Sequence, residues 1–241
     1  MTREETQERR LDTNLDTDLL KWIACAAMLC DHIGSAFFPE IPVFRWIGRL
    51  AFPQFCYCMT VGLLYTHDIR RYLGRLAVFA AVSQPFWILA FHPDDILGDL
   101  TNWNIFFTLF LSLLAMWGFK ERKWWLFLAC VVLLALFNFD YGYGGVVLML
   151  IFYLCRRHRA AGAALYVLDY LPALWGGSLE DPLALVVGGH PVNWTIFALL
   201  ALPFIYLPTK SGLRTPKWFF YVFYPAHLAV IAAVRSLAGL S

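Results

Sequence analysis

The sequence predicts an all-α, polytopic integral membrane protein of about nine transmembrane helices with its N-terminus in the cytoplasm. Three observations predict it. The 241 residues are 60% hydrophobic and only 15% charged, whereas a soluble domain is about half apolar and about a quarter charged. The apolar residues gather into segments at 19–38, 43–65, 72–91, 103–119, 124–139, 141–155, 160–175, 192–207 and 218–238. The charges between those segments alternate in sign.

Taken in order, the connections justify each segment in turn. Arg70, Arg71 and Arg75 separate the second from the third, and Asp94, Asp95 and Asp99 follow with no Lys or Arg. Lys120, Arg122 and Lys123 come next, then Asp140 alone, then Arg156, Arg157 and Arg159, then Glu180 and Asp181. Lys210, Arg214 and Lys217 precede the last segment. Basic connections stay in the cytoplasm, which orients the chain, and deleting any one segment breaks the alternation after it. The weakest are 141–155 and 160–175, shorter than the about 20 residues of a full span, the second carrying Asp169. Residues 1–18 read as a polar N-terminal tail, and 19–241 as a single transmembrane helical domain. The lipid bilayer is the expected surrounding; at a net charge of +2, no nucleic-acid partner is expected. The six cysteines all lie in apolar runs without zinc spacing and read as buried small hydrophobes, so no metal is expected.

Polar residues inside the segments carry the functional signal. The first segment holds Lys21 near its start and Asp31-His32 well inside. Ionisable groups in hydrocarbon are expensive unless paired or wetted, and so point to function. Lys21 and His32 are eleven residues apart, which on a helix returns to nearly the same face about 16 Å further along. A cation at the cytoplasmic mouth and an imidazole deep in one groove suit a substrate with an anionic tail and a reactive end. Arg49 lies early in the second segment and Gln84 before Pro85 in the third. Asn104 opens the fourth, His190-Pro191-Val192-Asn193 the eighth, and His227 sits near the middle of the ninth. Pro53, Pro85 and Pro225 each remove a backbone donor and kink a helix beside a cavity.

Several of these stretches, in order, resemble the TraX family of pilin N-acetylation proteins. They are Leu20-Lys21-x-Ile23-Ala24 through Met28-x-x-Asp31-His32-Ile33-Gly34, Ile47-Gly48-Arg49-Leu50-Ala51-Phe52-Pro53, and Tyr72-Leu73-x-Arg75-Leu76. Asn104-x-Phe106-Phe107-Thr108-Leu109 and Phe223-Tyr224-Pro225-x-His227-Leu228 complete the set. The middle, about 120–190, resembles nothing beyond hydrophobicity. One departure is Val61 before Gly62, where the family often carries an acid. The Lys21–His32 spacing is also similar to the acyltransferase-3 membrane acyltransferases, with lysine where those usually have arginine.

The resemblance implies a multi-pass protein of the bacterial cytoplasmic membrane that transfers acetyl from acetyl-CoA to an amine or hydroxyl. A pilin-like peptide, a glycan or a small molecule is the expected acceptor. Lys21, with Arg70, Arg71 or Arg75, is expected to meet the CoA phosphates. His32 is expected as general base, Asp31 as its orienting group or a partner to a neighbouring helix, and Arg49 or Asn104 as oxyanion donor. His227 is a further catalytic candidate. The competing class is a proton-coupled transporter, which uses the same buried Asp, His and Arg set; no two-half repeat of the transporter kind is visible.

Overall fold

A computed structural model describes residues 11–92 and 102–239. Its first helix, α1 (Thr17–Phe37), starts where the Asp16 side chain accepts a hydrogen bond from Leu19 N. That satisfies one of the amides a helix start leaves unpaired. At 21 residues it is about 32 Å long, close to the thickness of a bilayer's hydrocarbon core.

The second apolar segment forms two helices, α2 (Pro42–Gly48) and α3 (Ala51–Tyr65). Between them Arg49 N bonds Trp46 O and Leu50 N bonds Ile47 O, a tightened turn. Pro53 supplies the reason: it has no N–H to bond the Arg49 carbonyl, and its ring crowds that group. Then come α4 (Ile69–Phe91), capped by Asp68 and containing Pro85, and α5 (Ile105–Lys120), capped by Asn104. Next are α6 (Trp124–Leu136), α7 (Gly144–Leu154) and α8 (Arg159–Tyr170).

A short 3₁₀ turn (Leu171–Leu174) leads to strands β1 (Leu185–Val187) and β2 (His190–Val192), paired antiparallel. Gly188 and Gly189, both at positive φ, make the two-residue turn that joins them. A 3₁₀ segment (Trp194–Ala201), α9 (Leu202–Tyr206) and α10 (Lys217–Leu237, with Pro225 inside) complete the chain.

Four helical stretches are long and apolar enough to cross a membrane: Thr17–Phe37, Pro42–Tyr65, Ile69–Phe91 and Lys217–Leu237. They correspond to the first, second, third and ninth expected segments. The fourth, fifth, sixth and eighth are shorter apolar helices, Ile105–Lys120, Trp124–Leu136, Gly144–Leu154 and Trp194–Tyr206. The seventh is α8 with its 3₁₀ extension. The hairpin is a small exception to the all-α expectation, and it places His190 in a strand where a helix opening was expected. His190 Nε2 lies 2.8 Å from Leu174 O, which ties the hairpin to the 3₁₀ turn.

The expected polar tail is shorter than 1–18. Thr17 and Asp18 belong to α1, and Leu11, Thr13 and Asn14 are buried. Asn14 Nδ2 donates to Phe204 O and Thr209 Oγ1, and the Tyr57 hydroxyl donates to Asn14 O. The acidic connection Asp94, Asp95 and Asp99 lies outside the described residues.

Where one domain was expected over 19–241, the chain divides into two compact units. The first comprises residues 1–64 and 151–214; its core includes Tyr57, Phe152, Tyr166 and Tyr206, with Phe152 against each of the other three rings. The second comprises 65–150 and 215–241. There Ala115, Cys130, Leu134 and Val146 form one apolar cluster, and Phe79 stacks on Tyr221 between α4 and α10.

Candidate functional site

In the first unit the segment around Asp31 forms an ion cluster. Helices α1 and α2 approach closely: a side chain at Gly34 would strike Phe44, and one at Gly48 would overlap the Asp31 carboxylate. Only a missing Cβ lets α2 lie this near. Arg45 and Arg49 are four apart, so both face α1. Arg45 Nη1 donates to Asp31 Oδ2 at 2.8 Å and Arg49 Nη2 to Asp31 Oδ1 at 3.0 Å. The Trp194 ring covers both guanidiniums, with the Arg49 Cζ 4.2 Å and the Arg45 Cζ 5.2 Å from its centroid. Trp46 anchors the same corner, donating from Nε1 to Leu183 O and stacking on Phe197.

One carboxylate faces two guanidiniums, so these three side chains together carry one net positive charge. The side chains of Asp31 and Arg49 are each 10% exposed and that of Arg45 22%. A buried ion pair broken on one side costs about 3–5 kcal/mol, so Asp31 holds the two arginines in place. Of the two roles expected for Asp31, the geometry places it against a neighbouring helix. His32, the next residue, is partly exposed. At the start of the same helix, Lys21 Nζ meets Asp18 Oδ1 at 3.2 Å, an i, i+3 pair with both side chains partly exposed.

The second unit holds Asn104, His227, Arg70, Arg71 and Arg75. Asn104 Nδ2 donates to Ala80 O at 2.9 Å and to Gln84 Oε1 at 2.7 Å, while its Oδ1 accepts from Phe106 N. Gln84 Nε2 in turn donates to Asn102 O. Both amide N–H groups of Asn104 are therefore committed to joining α4 to the start of α5, which leaves none aimed at a developing oxyanion. The His227 Nδ1 lies 2.8 Å from Phe223 O, and the ring stacks on Phe223 and meets Tyr224 edge-on. Tyr224 also packs on Phe106, which links α10 to α5. Arg71 pairs with Asp68 at 2.9 Å on an exposed surface, and Arg70 is exposed at the start of α4. Arg75 lies over the rings of Tyr72 and Tyr221.

Three residues of the first unit were not singled out from the sequence. Arg45 had a readable signal, the four-residue spacing from Arg49 that puts both on one face. Trp194 had none, because its place over the arginines comes from tertiary folding across about 145 positions of chain. Gln54 is the third: it is fully buried, and neither Nε2 nor Oε1 has a hydrogen-bond partner among the described residues. Among the described residues no group of three or more His, Cys, Asp or Glu side chains gathers as a metal site would require. The cysteines are free thiols, with Cys25, Cys56, Cys58 and Cys130 buried.

Two known proteins resemble the chain over nearly its whole length. A probable fimbrial assembly protein of Dichelobacter nodosus, FimC of serogroup H1, is 29% identical over 232 residues, covering 90% of this chain and 94% of that protein. Protein TraX of Escherichia coli is 28% identical over 252 aligned positions, covering 97% of this chain and 96% of that protein. An uncharacterized protein of Rickettsia prowazekii is 52% identical over 40 residues, 17% of this chain and 16% of that protein. No solved structure matches the chain. The family model described as TraX protein matches residues 16–235, from the cap of α1 through the Asp31 cluster to the last turns of α10. On that match, and in line with the resemblance of its polar motifs, the chain belongs to the TraX family.

Proposed function

We propose that this protein is a multi-pass acetyltransferase of the bacterial cytoplasmic membrane. It moves an acetyl group from cytoplasmic acetyl-CoA to an amine or hydroxyl acceptor. The observation that carries the reading is the surplus positive charge of the Arg45–Asp31–Arg49 cluster beside His32. A buried cationic site next to a base suits a reaction whose transition state gathers negative charge on oxygen. The D. nodosus relative's name, a probable fimbrial assembly protein, favours a pilin-like N-terminal amine as the acceptor.

In this mechanism the acceptor nitrogen or oxygen attacks the thioester carbonyl, and His32 takes the acceptor's proton. An imidazole suits this, since its ordinary pKa lies near neutrality. The carbonyl becomes a tetrahedral oxyanion, which the guanidiniums of Arg49 and Arg45 stabilise. Collapse breaks the carbon–sulfur bond, and the departing CoA thiolate takes the proton held on His32. Asp31 keeps the two arginines oriented. Lys21, one helix length toward the other end of α1, holds the phosphate end of the donor; its pair with Asp18 is a partly exposed one of small worth, and exchanges readily for phosphate.

The test is release of free CoA thiol from acetyl-CoA by purified protein supplied with an amine-bearing peptide. Wild type releases thiol, and His32→Ala lowers the rate about 10²–10⁴-fold, the usual worth of a general base, without loss of folded protein. A wild type that leaves acetyl-CoA intact but moves protons across vesicles would replace this reading with the transporter.

A further inference from the structure

Three polar side chains of α3 have hydrogen-bond partners and a fourth, Gln54, has none among the described residues. The Tyr57 hydroxyl donates to Asn14 O, the Cys58 thiol to Thr17 O, and the Thr60 hydroxyl to Cys56 O. Gln54 lies one turn from Cys58, is completely buried, and leaves its carbonyl oxygen and amide nitrogen both without a partner among the described residues. A carboxamide in that state is costly, so a native one calls for an explanation.

The position of Gln54 along α1 follows from contacts at either end. Cys58 Sγ sits 3.8 Å from Thr17 O, at the start of α1. Gly48 lies against Asp31, near the far end of α1. The α2–α3 pair therefore runs antiparallel to α1. Gln54, between Gly48 and Cys58, falls level with the turn from Lys21 to Cys25, where Ala24 and Cys25 present small buried side chains. It thus stands on the neighbouring helix at a level between the ammonium of Lys21 and the imidazole of His32.

We infer that Gln54 is a positioning residue that receives an amide of the ligand's extended arm. Its Oε1 accepts from the ligand's N–H and its Nε2 donates to the ligand's carbonyl, the reciprocal pairing of two amides. The inference rests on the acetyl-CoA reading above, and it names the part of the donor concerned. The pantetheine arm carries two secondary amides between its phosphates and its sulfur, in the order that Lys21, Gln54 and His32 offer partners. The hydrogen bonds that Gln54 lacks within the protein are kept for that arm.

The test uses the detergent-solubilised full chain as wild type, Gln54→Met and Gln54→Leu. Without ligand, both variants unfold at the wild-type temperature or higher, because an orphaned amide has been replaced by an apolar side chain of similar size. Their Kd for acetyl-CoA rises about tenfold. Their affinity for adenosine 3′,5′-bisphosphate, which has the phosphates and no amide, stays at the wild-type value. Unchanged acetyl-CoA affinity in the variants overturns the inference alone, as does an equal loss for the bisphosphate. Variants that unfold earlier or fail to fold overturn it too, since the amide then serves the fold. Wild type that binds no acetyl-CoA overturns the functional reading and the inference together.

Discussion

Each unit buries a polar cluster, and the two differ in what they leave over. In the second unit Asn104 and Gln84 exchange hydrogen bonds with each other and with the backbone, and the Asn104 amide is used on both sides. That cluster is neutral and saturated. In the first unit one carboxylate serves two arginines, and Gln54 of α3, farther along α1, has no hydrogen-bond partner among the described residues. That unit has both charge and hydrogen-bonding capacity to spare. A saturated buried network holds helices together, and a subsidiary ligand would gain nothing from it. An unsaturated one is tolerated where a ligand completes it.

Breaking each cluster sharpens the difference. The largest effect is expected from Asp31→Ala, which removes the carboxylate that Arg45 and the buried Arg49 share and costs about 3–5 kcal/mol. Thermal unfolding in detergent measures it. Adding Arg45→Met and Arg49→Met should recover much of that stability, since apolar replacement of a buried ion set is often neutral, while acetyl transfer stays lost. Recovery of activity in the triple variant would contradict the role given to the arginines.

Asn104→Leu should cost about 2 kcal/mol, from the lost cap and the lost side-chain bonds to Gln84 Oε1 and Ala80 O. The KM for acetyl-CoA should stay at the wild-type value, and a raised KM would give Asn104 the oxyanion or binding role that its committed amide argues against. Asp16→Ala should cost about 1 kcal/mol, the usual worth of a cap. Burial raises the pKa of the Asp16 carboxyl, but hydrogen bonds from Ser211, Leu19 and Thr209 outweigh it and leave the carboxyl below its ordinary value of 3.8. Its stabilisation is therefore complete above the unfolded pKa and is lost as pH falls through the lower, folded one. An acid unfolding curve that Asp16→Ala leaves unchanged below about pH 4 would rule this out. Arg71→Ala, which breaks an exposed pair with Asp68, should change stability by less than about 0.5 kcal/mol.

The long helices were legible because length and hydropathy carry them. Thr17–Phe37, Ile69–Phe91 and Lys217–Leu237 each follow an apolar run whose ends are marked by charge. The region after 141 was less so. The 3₁₀ turns, the hairpin and the short α9 have no simple periodicity, and Pro172 and Pro203 interrupt what hydropathy alone reads as continuous segments. At the site, Asp31, His32 and Arg49 stood out as ionisable groups inside apolar runs. Arg45 has only its four-residue spacing from Arg49 to mark it. Gln54 could not have been read from the sequence, because being orphaned is a property of the packed state.

The shortness of the chain between Asp31 and its two arginines also bears on how the protein enters the membrane. A helix entering a bilayer alone with an ionised aspartate is penalised by about 2.5–3.5 kcal/mol on insertion scales, and an arginine by a similar amount. Here Phe38–Ile41 form the short link between α1 and α2, and Phe38 stacks on Phe44 across it. The opposing charges are thus delivered to each other within a single helical hairpin, before any later segment has been synthesised. Paired within that hairpin, the charges of Asp31, Arg45 and Arg49 need not enter hydrocarbon uncompensated.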